Sequence, residues 1–295
     1  MIIVADAGST KTDWRILSDC KDIIIKTNGI NPAVMPQKQI YNILQNELYP
    51  QLIQNGIIDK INSEKELTGF TEIHYYGAGC TVPNIPRMRI MLQEIFGPKS
   101  KIEVESDLTA AARALFGHDE GIACILGTGS NSGLYDGHNI ICKIPAMGYI
   151  LGDEGSGAVL GRLFLNALYK GRLPKALLKE FETQFSMTLD DIIGNVYHGN
   201  APSKFLASTS IFIAKHLDID KVTDIVVENF RAFFKNNIKQ YERPELKIGI
   251  VGSLAAIYHE QLMTAARMEN VKIGVILKSP SEKLIDYHRM KIDNI

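Results

Sequence analysis

Two short stretches of the chain each place a glycine- and hydroxyl-rich turn after an apolar segment, and this repetition constrains the fold more than any other feature. The first reads VADAGSTKTDW and begins at Val4, and the second reads GTGSNSG and begins at Gly127. Apolar runs on either side of a tight glycine turn predict two paired strands. When Gly8 is aligned with Gly129, both stretches read strand, turn, strand. This indicates an internal duplication with one Gly-Ser hairpin in each half.

The rest of the chain alternates short apolar runs with segments of helical periodicity, which predicts an α/β fold. Predicted strands cover residues 2–5, 14–17, 22–26, 72–76, 101–105, 121–126, 247–251 and 271–276. Predicted helices cover residues 38–52, 86–96, 108–116 and 255–268, a mainly helical region from about 160 to 241, and a final segment from 281.

Composition excludes several classes of function. The 295 residues carry a formal net charge of −1, so nothing indicates binding to nucleic acid or to an anionic membrane. No apolar run has membrane-spanning length, and no signal peptide precedes the first strand, so we expect a cytoplasmic protein. The four cysteines form no C-x-x-C pair and are expected to be reduced and mostly buried rather than bound to a metal or in disulfides.

The first turn has the composition of a phosphate-binding site. Glycine lets a bulky ligand approach the backbone, whose N–H groups can bind an anion. Ser9 and Thr10 add hydroxyl donors, and Lys11 adds a positive charge. The pattern is neither a Walker loop nor a dinucleotide fingerprint. The Asp6 carboxylate suits a hydrated magnesium ion.

Four motifs occur together in a characteristic order: Asp6-x-Gly8, the turn 127–130, the acidic loop 152–156, and Gly252-Ser253 after a strand. With these motifs the chain resembles the actin, hexokinase and sugar-kinase superfamily of ATPases. Within it, the chain is similar to the family of N-acetylglucosamine kinases and BadF/BadG/BcrA/BcrD-type ATPases.

The resemblance implies two ribonuclease-H-like (actin-like ATPase) domains with ATP, Mg²⁺ and a sugar bound in an interdomain cleft. The expected N-terminal domain covers residues 1–107, and a C-terminal tail of about 281–295 is expected to pack back on it. The expected C-terminal domain covers 108–280, with a helical insertion of about 160–241. Dimers are common in the family, so a homodimer is an expected assembly.

The resemblance also assigns roles to individual residues. Asp107 matches the catalytic base, and Asp6 would hold Mg²⁺ through water. ATP binding falls to Asp6, Gly8, Ser9, Thr10, Lys11, Gly127, Thr128, Gly129, Gly252 and Ser253. Sugar binding falls to Asn31, Gly77, Ala78, Gly79, Ser130, Asn131, Gly148 and Asp153.

Several of these residues have a simpler structural interpretation. Asp107 and Asp153 each stand before a predicted helix and could be N-caps. Asn31 precedes a proline and could be a turn residue, and Lys11 could be a solvated strand residue. Met147 replaces the tryptophan that animal-type N-acetylglucosamine kinases carry before the acid, which leaves the sugar open.

The resemblance predicts an ATP-dependent sugar kinase that phosphorylates a hydroxyl, with O6 of N-acetylglucosamine or a related amino sugar expected. One alternative is an ATPase activator of the 2-hydroxyacyl-CoA dehydratase type, although no cysteine has a recognisable cluster-ligand setting. Another is a sensor that binds ATP and sugar without turnover, and such a protein would not need Asp107 as a base.

Overall fold

The chain divides into two compact units. The computed structural model describes residues 1–8, 11–17, 22–57 and 72–292. Unit 1 consists of Met1–Ala114 and Pro280–Ile295, and unit 2 of Leu115–Ser279. Three residues with expected roles lie outside the described residues: Ser9 and Thr10, assigned to ATP binding, and Cys20, expected to be a reduced thiol.

Unit 1 is built on a five-stranded mixed sheet. Its strands are β1 Ile2–Ala7, β2 Lys11–Leu17, β3 Asp22–Asn28, β4 Glu72–Gly77 and β5 Lys101–Ser106, in the order β3-β2-β1-β4-β5. The first three form antiparallel pairs, and β4 and β5 continue the sheet parallel to β1. The carboxyl ends of β1, β4 and β5 therefore lie at the same edge.

Helices cover the sheet of unit 1. They are α1 Gln37–Ile43, α2 Tyr49–Gln54, α3 Ile85–Phe96, α4 Asp107–Phe116 and the C-terminal helix Ser281–Ile292. A π-helical segment, Leu44–Leu48, joins α1 to α2, so the helix predicted over residues 38–52 contains a change of pitch. The core contains Trp14, whose ring centroid lies 5.8 Å from that of Tyr75 and 6.3 Å from that of Phe96.

Unit 2 contains a second five-stranded sheet with the same topology. Its strands are β6 Gly121–Leu126, β7 Ser130–Tyr135, β8 Ile140–Cys142, β9 Ile248–Val251 and β10 Ile273–Leu277, in the order β8-β7-β6-β9-β10. Strands β6, β7 and β8 pair antiparallel, and β9 and β10 run parallel to β6. The two sheets match strand for strand, which confirms the predicted α/β class and internal duplication.

Unit 2 also contains the predicted helical region. Its helices are α5 Gly148–Leu151, α6 Gly157–Tyr169, α7 Lys175–Phe185, α8 Leu189–Tyr197, α9 Pro202–Ser208, α10 Ser210–Ala214, α11 Asp220–Asn236, α12 Ser253–Ile257 and α13 His259–Met268. A cluster of phenylalanines forms part of the core, with the ring of Phe181 5.2 Å from that of Phe212 and 6.1 Å from that of Phe164. Across the described part of the chain, none of the helices has the length and apolar character needed to span a bilayer.

Candidate active site

The register of unit 1 aligns three of the predicted site segments. Ala7 lies opposite Gly77, and Gly77 lies opposite Ser106 on the next strand. The N–H of Ala78 donates to the carbonyl oxygen of Ala7 at 2.8 Å, which extends the alignment past the strand ends. The first turn, the 77–79 loop and the start of α4 therefore meet at one edge of the sheet, where ligands of such sheets bind.

Asp6 lies at this edge and has neighbours on three elements. It is opposite Asp13 on β2 and Tyr76 on β4, and its Oδ2 accepts a hydrogen bond of 2.9 Å from the Ser281 hydroxyl. Burial raises the pKa of Asp6, and the bond from Ser281 opposes that rise. The Lys11 ammonium lies 2.7 Å from Oδ2 of Asp13. Lys11 thus pairs with an acid of its own strand.

The chemistry of this edge fits a hydrated magnesium ion. Carboxylates are the ligands that Mg²⁺ prefers, and it usually keeps several of its waters. Asp6 and Asp13 supply two carboxylates at facing positions of paired strands. Within the described ranges, no three His, Cys, Asp or Glu residues are grouped to hold a metal directly. Two carboxylates suit an ion that keeps most of its waters.

Asp107 is the first residue of α4, but it is not the N-cap. The Ser106 hydroxyl accepts the Thr109 N–H at 3.1 Å, which makes Ser106 the cap. Oδ1 of Asp107 accepts from the N–H of Leu108 at 2.9 Å. The interpretation of Asp107 as the N-cap is therefore wrong, and its half-buried carboxylate stands at the helix N-terminus beside the aligned strand ends.

The charge of Asp107 affects the pKa of the Cys80 thiol. Its pKa is raised to about 12, first by burial and then by the negative charges of Asp107 and Glu105. Cys80 follows the 77–79 loop directly and is buried. The Asp107 carboxylate thus acts electrostatically on the thiol that follows the 77–79 loop.

Asn31 contacts the 77–79 loop. A Cβ atom on Gly79 would lie 2.0 Å from Oδ1 of Asn31, so only glycine fits beside this amide. The same Oδ1 accepts from the N–H of Ala33 at 3.0 Å, which forms a local turn. Asn31 is thus a turn residue, as its simpler interpretation proposed, and it also meets the loop that the resemblance assigned to the sugar.

In unit 2, the glycine turn 127–129 is held by the start of α6. The carbonyl oxygen of Gly127 accepts the Gly157 N–H at 2.8 Å, and that of Thr128 accepts the Ala158 N–H at 3.1 Å. A Cβ added to Gly127 would meet no atom of the described residues within 4 Å. No contact with the described residues therefore requires a glycine at this position.

Gly252 stands at the end of β9, next to the end of β6. A Cβ at Gly252 would lie 1.9 Å from the carbonyl oxygen of Leu126, and its φ of +145° is one that L residues rarely adopt. Its N–H donates to the carbonyl oxygen of Leu277 at 2.8 Å. Close approach of two backbones thus requires this glycine. Ser253 follows as the exposed first residue of α12.

Asp153 lies between the second glycine turn and the start of α5. Burial raises the pKa of its carboxyl, and the backbone amides of Ser130 and Gly148 oppose that rise. A Cβ on Gly129 would lie 3.0 Å from Oδ2 of Asp153. The N-cap of α6 is Ser156, whose side chain accepts from the N–H of Val159. The interpretation of Asp153 as a cap is therefore wrong.

Asn131 lies one residue beyond this contact. Its Oδ1 accepts from the N–H of Ser132 at 3.0 Å. Gly129, Ser130, Gly148 and Asp153 are thus brought together in unit 2, with Asn131 at the following position of β7.

Two polar residues near these groups were not predicted from the sequence. Ser281 bonds Asp6 across most of the length of the chain, and no local pattern indicates this. Asn229 is buried in α11 and bonds the acidic loop at Gly155 and Ser156. Asn229 lies on the apolar face that contains Val226 and Phe230. A polar residue on an apolar helix face is therefore the sequence feature by which it could have been found.

Comparison with known proteins identifies the family of the chain. No protein-family model and no curated protein matches the chain. A solved structure named "Putative N-acetylglucosamine Kinase" from Porphyromonas gingivalis is similar, with 42% sequence identity, a TM-score of 0.89 and coverage of 98% of each chain. A second protein of that name, from Chromobacterium violaceum, has 16% identity, a TM-score of 0.72 and coverage of 97% of this chain and 98% of its own, which shows the same fold.

The similarity to the Porphyromonas gingivalis protein extends over nearly all of both chains. The chain therefore belongs to the same family as that protein.

Proposed function

We propose that this chain is an ATP-dependent kinase that transfers the γ-phosphoryl group of ATP to a hydroxyl of an amino sugar, with O6 of N-acetylglucosamine as the expected acceptor. Its family supports phosphotransferase activity. The observation that carries the proposal is the register of unit 1, which aligns Ala7, Gly77 and Ser106. An acidic turn, a glycine loop and a candidate base thereby share one edge of the sheet.

Asp107 is the proposed base. The N-caps of α4 and α6 are serines, so neither Asp107 nor Asp153 is the N-cap of the helix that follows it. The N-terminus of a helix stabilises an ionised carboxylate, and a base must be ionised to accept a proton. In the proposed step the sugar hydroxyl gives its proton to Asp107 while its oxygen bonds the γ-phosphorus. The bond from that phosphorus to the β–γ bridging oxygen breaks, and ADP leaves with the electron pair.

The glycine turns are the proposed phosphate sites. Phosphoryl transfer depends mainly on positioning and on stabilisation of the charge of the phosphates. Open space at the Cβ position of Gly127 supports close approach of a phosphate to the backbone of unit 2. In unit 1, Gly8 and Lys11 belong to the corresponding turn. Asp6 would hold Mg²⁺ through water, and the bound ion would neutralise charge on the phosphates.

The sugar-binding residues are proposed in two groups. In unit 1, Asn31 and the 77–79 loop already contact one another. In unit 2, the carboxylate of Asp153 lies near the backbone amides of Ser130 and Gly148. Met147 precedes this glycine with an exposed side chain and a left-handed backbone. These groups offer the carboxylate, amide and backbone partners that sugar hydroxyls need.

The test is sugar-dependent release of ADP. The purified protein would be given ATP-Mg²⁺ with N-acetylglucosamine, glucosamine, N-acetylmannosamine, glucose or no sugar. We expect one amino sugar to stimulate ADP release, and phosphorus NMR of the product to show a phosphomonoester at O6. Asp107→Asn should lower the stimulated rate by about 100-fold or more, because a general base contributes about 10²–10⁴-fold.

A matched variant separates loss of the base from loss of a charge. Asp119→Asn makes the same change at an exposed position shortly after α4 and should leave the rate unchanged. Asp107→Asn should still bind ATP, as measured by calorimetry. Equal ADP release with and without every sugar would contradict the proposed acceptor and would favour the ATPase activator or the sensor.

A further inference from the structure

Helix α11 holds the acidic loop of unit 2 through one buried amide. Asn229 is 1% exposed. Its Oδ1 accepts from the N–H of Gly155 at 3.0 Å, and its Nδ2 donates to the carbonyl oxygen of Ser156 at 3.2 Å. Both ends of the amide are therefore used by consecutive backbone groups, and this pairing fixes its orientation.

The same helix and its C-terminal extension contact the loop again. The amide of Asn236 donates to Oε1 of Glu154 at 2.8 Å, and that of Asn237 donates to Oε2 at 3.3 Å. Phe233 packs beneath Gly155 so closely that a Cβ on this glycine would lie 2.8 Å from the Cβ of Phe233. Glu154, Gly155 and Ser156 thus all contact one side of α11.

The loop in turn sets the geometry of both proposed binding functions of unit 2. It is followed directly by Gly157, the first residue of α6, whose N–H donates to the carbonyl oxygen of Gly127 in the turn 127–129. It contains Asp153, whose carboxylate lies beside Gly129 and near the backbone amides of Ser130 and Gly148. The N–H of Ser156 also donates to the carbonyl oxygen of Asp153 at 3.0 Å. A displacement of the loop backbone would therefore move the carboxylate and the phosphate turn together.

We propose that Asn229 is a positioning residue that fixes the acidic loop 152–156, and through it both the Asp153 carboxylate and the 127–129 turn. Its importance for turnover rests on the proposed function, whereas its effect on loop geometry does not. Helix α11, to which the sequence assigned no site residue, thereby acts on the site. Asn229 is not one of the residues proposed to bind ATP or the sugar, so it acts through the loop.

Loss of this amide has a defined physical consequence. Without it, the Gly155 N–H and the Ser156 carbonyl are left buried without these partners, and an unsatisfied buried group is costly. The loop can recover the lost bonds only by moving. Asn229→Asp keeps an acceptor for Gly155 but sets an oxygen against the Ser156 carbonyl, so it perturbs the same contact from one side.

The experiment reads the loop in the ligand-free protein. Amide ¹H–¹⁵N spectra would follow Ser130 and Gly148, whose backbone amides lie near the Asp153 carboxylate. We expect Asn229→Ala to shift both resonances toward the values of Asp153→Asn. Val226→Ala is the matched control, because it empties a buried position one turn earlier on the same helix and has no polar group. It should leave both resonances in place.

Kinetics supply the second readout. Asn229→Ala should lower kcat/KM by roughly tenfold to 100-fold, since misplacement by 1 Å can cost about 100-fold. Val226→Ala should change stability but not kcat/KM. If Asn229→Ala does not fold, Asn229→Asp takes its place in both measurements. Unmoved Ser130 and Gly148 resonances in a folded Asn229 variant would overturn the proposal. A wild-type protein without sugar-dependent turnover would contradict the proposed kinase, and the spectra would still decide the role of Asn229.

Discussion

The hydroxyl oxygen of Ser281 lies 2.9 Å from Oδ2 of Asp6, although 275 positions separate the two residues in the chain. Asp6 belongs to the first strand, and Ser281 is the first residue of the C-terminal helix and is 6% exposed. The hydroxyl donates to a carboxylate that is itself largely desolvated. The last helix of the chain therefore fixes the orientation of the acid in the first turn.

This relationship predicts that Ser281→Ala needs a higher Mg²⁺ concentration for ADP release. A hydrogen bond to a charged group contributes about 1.5–3 kcal/mol, and its loss frees the Asp6 carboxylate to rotate. We expect the Mg²⁺ concentration for half-maximal ADP release to rise roughly tenfold, the equivalent of about 1.4 kcal/mol. The measurement is a magnesium titration at saturating ATP and sugar, with binding of Mn²⁺ followed by electron paramagnetic resonance.

A neighbouring variant controls for changes in the C-terminal helix. Glu282→Gln alters an exposed side chain in the same helical turn and should leave the magnesium dependence unchanged. An identical magnesium requirement in wild type and Ser281→Ala would show that the Ser281 hydroxyl does not orient Asp6 for the ion.

The open space at Gly127 predicts a variant that separates binding from folding. Gly127→Ala places a methyl group where the described residues leave room, so the free energy of unfolding should change by less than about 0.5 kcal/mol. If a phosphate occupies that room, the methyl group is overpacked only in the complex. Overpacking costs about 1–3 kcal/mol, so ATP affinity should fall roughly 10- to 100-fold in calorimetry.

The same substitution elsewhere supplies the comparison. Gly194→Ala lies inside α8, where a Cβ meets no described atom within 4 Å. Alanine is favoured over glycine in a helix by about 0.5–1 kcal/mol, so this variant should be more stable and bind ATP normally. ATP affinity that is equal in Gly127→Ala and Gly194→Ala would argue against a phosphate at the 127–129 turn.

Much of the fold follows from local sequence patterns. Alignment of Gly8 with Gly129 predicted two hairpins, and the two sheets have the same order around β1 and β6. The first strand was predicted to end at Ala5, but it continues to Ala7 because Asp6 pairs with residues of β2 and β4. Hydrophobic pattern does not reveal a polar residue within a strand, because the cross-strand partners are distant in sequence.

The site was less accessible to sequence than the fold. A carboxylate before a helix can be a cap, and only coordinates show that Ser106 and Ser156 cap α4 and α6 instead of Asp107 and Asp153. The contact of Asn229 with the acidic loop depends on how α11 packs. Local propensity carries no information about such a contact.

Glu269 predicts an acid-sensitive contribution to stability. It is 4% exposed, and its carboxylate lies 2.8 Å from the Lys239 ammonium, 2.9 Å from Nε of Arg231 and 3.4 Å from the Lys235 ammonium. Its pKa is lowered to about 2, first by the hydrogen bond from Lys239 and, against the effect of burial, by Arg231 and Lys235. The unfolded chain has a glutamate pKa of about 4.3.

Between these two values the unfolded state binds more protons, so the stabilisation is present above about pH 4.3 and is lost as the pH falls toward 2. Glu269→Gln should therefore reduce stability by about 2 kcal/mol at pH 7, and the difference from wild type should shrink below about pH 4. Urea unfolding from pH 7 to pH 3 measures this. The exposed Glu260→Gln is the control, and a difference that stays constant over this range would contradict the assignment.

The Gly252→Ala variant is expected to lose stability, whereas Gly127→Ala is expected to keep it. Gly252→Ala drives a Cβ into the carbonyl oxygen of Leu126 at 1.9 Å and demands a φ of +145°, so β6 and β9 must separate at their ends. We expect a loss of about 3 kcal/mol or more in the free energy of unfolding, measured with urea. Gly171→Ala is the control, because its φ of +68° is also positive but a Cβ there meets no described atom within 4 Å. It should cost only about 1–2 kcal/mol, the penalty for a left-handed backbone. Equal losses in the two variants would mean that backbone conformation, and not the approach of β6 to β9, explains the glycine at 252.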